Sequence, residues 1–199
     1  MNFYQLPSRN FGMAIQLKAM QSIIVSNEIL LERIRISDAA TLFYAIDQNR
    51  SHLREWLPFV DFTKEIKDSE AFIHTIVSHR DETRNEVYTI WYKGEFAGII
   101  GFNNTDRVNE KTEIGYWLIK EKTGKGIIHK SCQILIGLAF EKMGMNRIAI
   151  KCAVDNILSQ KVANGLGFTF EGVERSGERY HNLFFDLKVF SFLKREHCK

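Results

Sequence analysis

The chain falls into regular patterns of apolar and polar residues from about position 29. The segment I-L-L-E-R-I-R-I at 29–36 turns to alternation after Leu31, as a half-buried strand does. Ser37 and Asp38 are helix N-cap residue types ahead of an apolar segment at 39–46, which predicts a first helix. Pro58, within W-L-P-F, breaks the chain, because the residue before a proline avoids the helical region. Residues 68–79 place Ala71, Phe72, Ile76 and Val77 on the apolar side of a second helix. Three strands are predicted at 86–92, 96–103 and 111–119, with Lys93 and Gly94 forming a hairpin turn. The third alternates Ile114, Tyr116 and Leu118 against Glu113, Gly115 and Trp117. After a glycine-containing turn, Ile128, Cys132, Leu135 and Ala139 recur at helical spacing as far as about Met143, where Gly144 is a suitable stop. Residues 147–154 alternate again, with Ile148, Ile150, Cys152 and Val154 on one face. A short helix at 156–166 ends at Gly167, and strands at 168–175 and 182–192 complete the pattern.

This order implies a mixed α/β fold. Its first half favours an antiparallel meander, and the strand–helix–strand stretch at 111–154 favours one parallel crossover. The expected architecture is a mostly antiparallel central sheet with helices on both faces. Residues 1–22 show no clean period and are read as an N-terminal extension to a single domain at 23–199. The partly apolar stretch 13–25, interrupted by Gln16, Lys18 and Gln21, is read as helical if it folds.

Composition narrows the class. The chain has 199 residues, 45% hydrophobic and 26% charged, which suits one globular domain. A net charge of +3 with no basic stripe argues against a nucleic-acid partner. No apolar run is long enough to span a bilayer, so no membrane partner is expected. Cys132, Cys152 and Cys198 fit neither a disulfide framework nor a zinc pattern, and no metal site is expected. Apolar surroundings for Cys132 and Cys152, with no signal-peptide pattern, lead us to expect a cytoplasmic protein.

Two constellations carry candidate chemistry. Thr123, Gly124, Lys125, Gly126, Ile127 and Ile128 lie between a strand and a helix. Glycines there let backbone approach a ligand, and the helix that follows offers free N–H groups to phosphate. Taken alone, the segment reads equally as a tight turn with solvated lysines. Asn156 and Ser159 open the next helix, which ends in L-G-F. Taken alone, these are a cap and an exposed helix residue. Together the two turns would lie at one edge of neighbouring parallel strands, where open α/β sheets bind ligands.

The stretch T-G-K-G-I-I-H-K-S, continuing through N-R-I-A-I-K-C-A-V-D-N-I-L-S-Q-K-V-A-N-G-L-G-F-T-F-E-G, resembles the acetyl-CoA core of the GNAT superfamily. The runs at 49–60 and 113–118 resemble its Rim-type branch, which acetylates N-termini of ribosomal proteins. The resemblance covers roughly 29–193. It implies the GNAT fold, with a splayed parallel strand pair, and acetyl-CoA as co-substrate. It implies pyrophosphate contacts from the N–H groups of residues 124–128, namely Gly124, Lys125, Gly126, Ile127 and Ile128. It also implies pantetheine pairing at Leu118 and Ile119, a cofactor-arm bond from Asn156, and Ser159 as proton donor to the leaving thiolate. The oxyanion would meet an N–H near Ile119. Thr123 and Ile128 depart from the usual residues of the turn, and Phe190 stands where a tyrosine is common, so no tyrosine acid is expected there.

The general base remains open among Glu178, Glu113 and water. Glu178 matches the Rim-type glutamate, and Glu113 sits where other GNAT members place a base. His129 and His181 are read as surface or structural. Trp56, Phe59 and Trp117 are candidates for an acceptor groove and equally for the core. The resemblance implies acetylation of a protein N-terminal amine beginning with Ser or Ala, by direct transfer in a ternary complex. Alternatives are a small-molecule or antibiotic acetyltransferase and a non-catalytic acyl-CoA-binding module. A homodimer that shapes the acceptor groove is also expected.

Overall fold

The computed structural model describes residues 21–78, 86–180 and 182–197. Most of the N-terminal extension, His79, His181 and Cys198 therefore lie outside the described residues. Eight strands form a single sheet in the order β1-β2-β3-β4-β5-β6-β8-β7. They are β1 (Ser22–Ser26), β2 (Ile29–Arg33), β3 (Val87–Tyr92), β4 (Glu95–Asp106), β5 (Lys111–Leu118), β6 (Arg147–Ala153), β7 (Thr169–Tyr180) and β8 (Leu183–Leu193). All neighbours are antiparallel except β5 and β6, as the crossover through the intervening helix requires. The mixed α/β expectation holds.

The sheet alternation seen in the sequence divides its two faces. Leu31, Ile90, Ile100, Phe102, Ile114, Ile148 and Ile150 point to one side, against α4 (Ile127–Gly137) and α5 (Ile157–Gly165). Val87, Ile99 and Trp117 point to the other, against α1 (Ala39–Gln48) and α3 (Ile66–Val77). Leu31, Ile90, Ile100, Phe102 and Leu135 are fully buried. Burying each such side chain contributes about 1.5–3 kcal/mol. Among the described residues no helix is long and apolar enough to cross a membrane.

Several local expectations shift. The strand β1 was not predicted; Ser22–Ser26 folds back on β2 instead of continuing a helix. Asp38 does not cap α1 with its side chain. It accepts from the Arg35 N–H at 2.8 Å and so closes the preceding turn. The helix after residue 126 ends in one widened turn at Leu138–Lys142 before Gly144, whose φ is +72°. β7 runs five residues past its predicted end, through a register irregularity between Glu174 and Glu178 where Ser176 has φ +53°.

Two contacts position the strands around the site. At Gly98, where β4 bulges, φ is +155°, and an added Cβ would stand 2.0 Å from the Trp117 carbonyl oxygen. On the far side of the sheet, Glu171 of β7 accepts from Arg147 of β6 at 2.6 Å and from Ser191 of β8 at 2.7 Å. These partners, with Arg147 the larger cause, bring its carboxyl down to about 2.

Gly98→Ala is expected to lower stability by about 3 kcal/mol, read as a lower urea midpoint at unchanged slope. Glu171→Gln is expected to lower stability at pH 7 by no more than about 1 kcal/mol, because the pair is partly exposed. The folded value lies below the unfolded one, so this stability is present above about pH 4.5 and is lost as pH falls towards 2. Melting curves of parent and variant should therefore converge at the acid end.

Candidate active site

β5 and β6 pair only at Lys111↔Arg147, Thr112↔Ile148 and Glu113↔Ala149. Beyond that point β5 stays with β4 as far as Leu118, and β6 stays with β8 as far as Ala153. Their facing edges therefore diverge into a wedge, as the splayed pair predicted. The Ile119 N–H donates to the Ala97 carbonyl at 2.9 Å, and the Trp117 carbonyl faces Gly98 on the same side. With a period of two, the backbone groups of Tyr116 and Leu118 face the other way, into the wedge. The backbone N–H facing the opening beside Ile119 is therefore that of Leu118. Ile119 is engaged with β4, and Leu118 presents its N–H to the opening.

The glycine turn stands at the open end of this wedge. Gly124 and Gly126 have φ +73° and +71°, with nothing within 4 Å of where a Cβ would sit. Gly126 opens α4, and the first turn closes with the Lys130 N–H donating to Gly126 at 3.1 Å. The N–H groups of Ile127, Ile128 and His129 have no acceptor within the helix, as at any helix start. Ile127 and Ile128 bury their side chains in the core, so the turn offers backbone alone. The departure at Thr123 has a local purpose: its hydroxyl donates to the Lys120 carbonyl at 2.8 Å and tightens the turn. Lys122 pairs with Glu95, and Lys125 Nζ stands 5.7 Å from the Tyr92 ring centre. These features fit a pyrophosphate held by N–H groups, with lysine charge beside it.

Asn156 caps α5, accepting the Ser159 N–H on Oδ1 at 3.0 Å. The cap turns the first helical residues towards the wedge. There the Ser159 hydroxyl lies 2.8 Å from the Tyr116 hydroxyl. Burial pushes both the Tyr116 phenol and the Cys152 thiol above their ordinary values.

A cavity of about 910 Å³ extends from the wedge across the α1/α3 side of the sheet. Ser159, Asn156, Tyr116, Glu113 and Glu178 all line it. Trp56, Phe59 and Trp117 line it too, although Trp117 is otherwise a core residue. Glu113 is held by Lys151 Nζ at 3.1 Å and by the Asn104 amide at 3.1 Å. Glu178 lies on β7 rather than on a loop, exposed at the rim. Desolvation by the surrounding protein raises its carboxyl above the usual range. The rim itself is tied together. Arg50 donates to the Val60 and Thr63 carbonyls at 2.8 and 2.7 Å, and the Tyr180 hydroxyl donates to the Arg54 carbonyl at 2.7 Å.

Sequence reasoning gave Ser159, Asn156, Glu113 and Glu178 and missed the parts that Tyr116, Asn49 and Arg50 play. Asn49 accepts the Lys120 N–H at 3.0 Å and so joins the acceptor wall to the glycine turn. The run beginning at Asn49 was visible in the sequence, but its contacts reach 71 residues along the chain. His129 faces Gly165 of α5, away from the cavity lining. Among the described residues no cluster of His, Cys, Asp or Glu could hold a metal ion.

Comparison with known proteins agrees with this geometry. Residues 28–169 match the acetyltransferase (GNAT) domain family. The chain is 37% identical over 177 residues to a putative ribosomal N-acetyltransferase, YdaF of Bacillus subtilis (strain 168), covering 86% of this chain and 94% of that one. The microcin C7 self-immunity acetyltransferase MccE, solved with acetyl-CoA and AMP, superposes with TM-score 0.83 at 31% identity, over 87% of this chain and 96% of that one. The ribosomal L7/L12 alpha-N-protein acetyltransferase RimL, solved with coenzyme A, superposes with TM-score 0.81 at 26% identity, over 86% and 97%. The wedge, the glycine turn and the Asn156–Ser159 helix start are thus parts of an acetyl-CoA-dependent N-acetyltransferase, and the chain belongs to the GNAT acetyltransferase family.

Proposed function

We propose that the acceptor is the α-amine of a protein N-terminus, that of a ribosomal protein beginning with serine or alanine, acetylated directly in a ternary complex. The observation that carries this reading is the joint lining of one open cavity by Ser159, beside the wedge, and Glu178, at the rim. The names of YdaF and RimL support the choice of acceptor class. A ribosomal-protein acceptor also places the reaction in the cytoplasm.

The chemistry follows from the residues. The N–H groups of residues 124–128 hold the pyrophosphate, Asn156 contacts the cofactor arm, and the open edge of β5 that ends at Leu118, just before Ile119, takes the pantetheine. The amine nitrogen attacks the acetyl carbonyl carbon, forming the C–N bond and moving an electron pair to oxygen. The Leu118 N–H stabilises that oxyanion. As the pair returns, the C–S bond breaks and the thiolate takes a proton from Ser159. The ammonium proton passes to Glu178, and exchange with solvent returns a proton to the Ser159 oxygen. An α-amine, with pKa about 8, needs only a weak base, whereas a lysine side chain near 10.4 needs more. Glu178 suits the role better than Glu113, because desolvation brings it towards the working pH while Lys151 holds Glu113 as a paired carboxylate. Exposed Phe170, Val173, Leu183 and Phe184 on the β7–β8 edge support a second copy of the chain pairing there.

A second reading is a nucleotide-linked small amine as acceptor, favoured by the MccE complex with AMP. Purified protein with acetyl-CoA should acetylate synthetic peptides beginning with Ser or Ala, with mass spectrometry locating the product at the α-nitrogen. Turnover of aminoacyl nucleotides with those peptides untouched would overturn the N-terminal reading. Ser159→Ala should lower kcat about 100-fold while acetyl-CoA still raises the melting temperature.

The rate should fall on the acid side at a pH above that of an ordinary glutamate, because Glu178 accepts a proton only when ionised. Glu178→Gln should remove that limb and lower kcat about 100-fold. A raised folded value favours the protonated folded protein, so stability is lost as pH rises through it. The variant should therefore melt no lower than the parent at pH 7, which separates lost chemistry from lost folding.

A further inference from the structure

We propose that Tyr116 is a positioning residue for the transfer step, fixing the Ser159 hydroxyl so that its only proton points at the sulfur of the leaving group. The proposal rests on the reading of Ser159 as proton donor.

The geometry starts with two hydroxyls 2.8 Å apart. Each could donate to the other, so the surroundings decide. Tyr116 lies on β5 with its side chain packed against a core that includes the Cys132 and Cys152 thiols, which accept hydrogen bonds weakly. A buried phenol proton without an acceptor is costly. The Ser159 oxygen is the strong acceptor within reach, so Tyr116 donates to it. Burial also keeps the phenol protonated across the working pH range, so the donor does not titrate away.

Ser159 then has one proton and no reason to return it to Tyr116. Its backbone N–H is already taken by the Asn156 cap, which fixes the main chain beneath it. The hydroxyl proton is left for a partner in the cavity that Ser159 lines. A thioester sulfur in the wedge would accept that proton. Donation from Tyr116 makes Ser159 a stronger donor, since linked hydrogen bonds polarise one another. When the C–S bond breaks, the Ser159 proton goes to sulfur, and the Tyr116 hydrogen bond stabilises the charge on the serine oxygen until solvent returns a proton to it. Phe190, where related enzymes often carry tyrosine, is buried against Phe170 and takes no part.

The test is a double-mutant cycle with Tyr116→Phe, Ser159→Ala and the pair. Tyr116→Phe keeps the ring and removes the hydroxyl. Thermal melting should confirm that the variant folds and that acetyl-CoA still raises its melting temperature. Its kcat should fall about tenfold, the scale of one hydrogen bond, with KM for acetyl-CoA unchanged. In the Ser159→Ala background the same change should cost nothing further. A second readout avoids turnover: the ultraviolet thiolate absorbance of bound CoA, titrated with pH after subtraction of CoA-free protein. The relay stabilises the thiolate, so both single variants should raise the pH at which bound CoA ionises. Unchanged kcat and unchanged CoA titration in Tyr116→Phe, beside an impaired Ser159→Ala, would overturn the role of Tyr116 and leave that of Ser159 standing. An additive loss in the double variant would also overturn it, since Tyr116 would then act without Ser159. Full activity in Ser159→Ala would overturn the Ser159 reading itself, and with it this one.

Discussion

The divergence of β5 from β6 is the constraint on which the site depends. Each strand is held along its outer edge, β5 by β4 and β6 by β8, while the inner edges share only three paired positions. Past Glu113 the backbone groups on the inner edge of β5 lose their partner strand. Buried backbone donors and acceptors need a partner from strand, water or ligand. An extended amide-bearing chain can supply what the missing strand would have supplied. A parallel pair also puts the starts of the helices that follow, α4 and α5, at the same end of the wedge. One departure from regular pairing thus opens a groove with the starts of α4 and α5, and with them Ser159, at its end.

The opposite wall is built by hydrogen bonds between distant segments rather than by regular structure. Arg50 gathers the carbonyls of residues 60 and 63, Tyr180 reaches the carbonyl of Arg54, and Asn49 joins the end of α1 to Lys120. The cavity rim and the glycine turn are therefore one mechanical unit. Buried Trp117 links them to the sheet, packing with Phe96 at a ring separation of 6.2 Å. A substrate that fits the cavity meets walls already fixed before it arrives, which lowers the ordering cost of bringing amine and thioester together.

The charges divide in the same way. Glu113, Lys151 and Glu174 form an ion-pair chain on the cavity side of β6. Glu178 stands apart from it at the rim, and desolvation by the surrounding protein rather than a neighbouring charge raises its carboxyl. Two carboxylates that sequence reasoning could not separate are thus separated by their surroundings. One is paired with the Lys151 ammonium, and the other is raised above the usual carboxylate range by desolvation.

Local pattern determined much of this protein. Alternation at Ile114, Tyr116 and Leu118, the helical spacing from Ile128 to Ala139, and glycines at positive φ each depend on residues close in sequence, and the structure follows them. The two motif turns were legible for the same reason, because helix starts and glycine turns are local events. The tertiary structure decided what depends on contacts across the chain. β1 has too short a pattern to stand out and forms because β2 offers an edge. β7 continues to Tyr180 because its irregular register at Ser176 lets it rejoin β8, and this turns Glu178 from a loop residue into one on a strand at the cavity rim. Tyr116 read as one more apolar-face residue of β5. Only the packing of α5 against the sheet brings Ser159, 43 positions later, to its hydroxyl. Periodicity reports which face a side chain takes, but not which distant atom waits there.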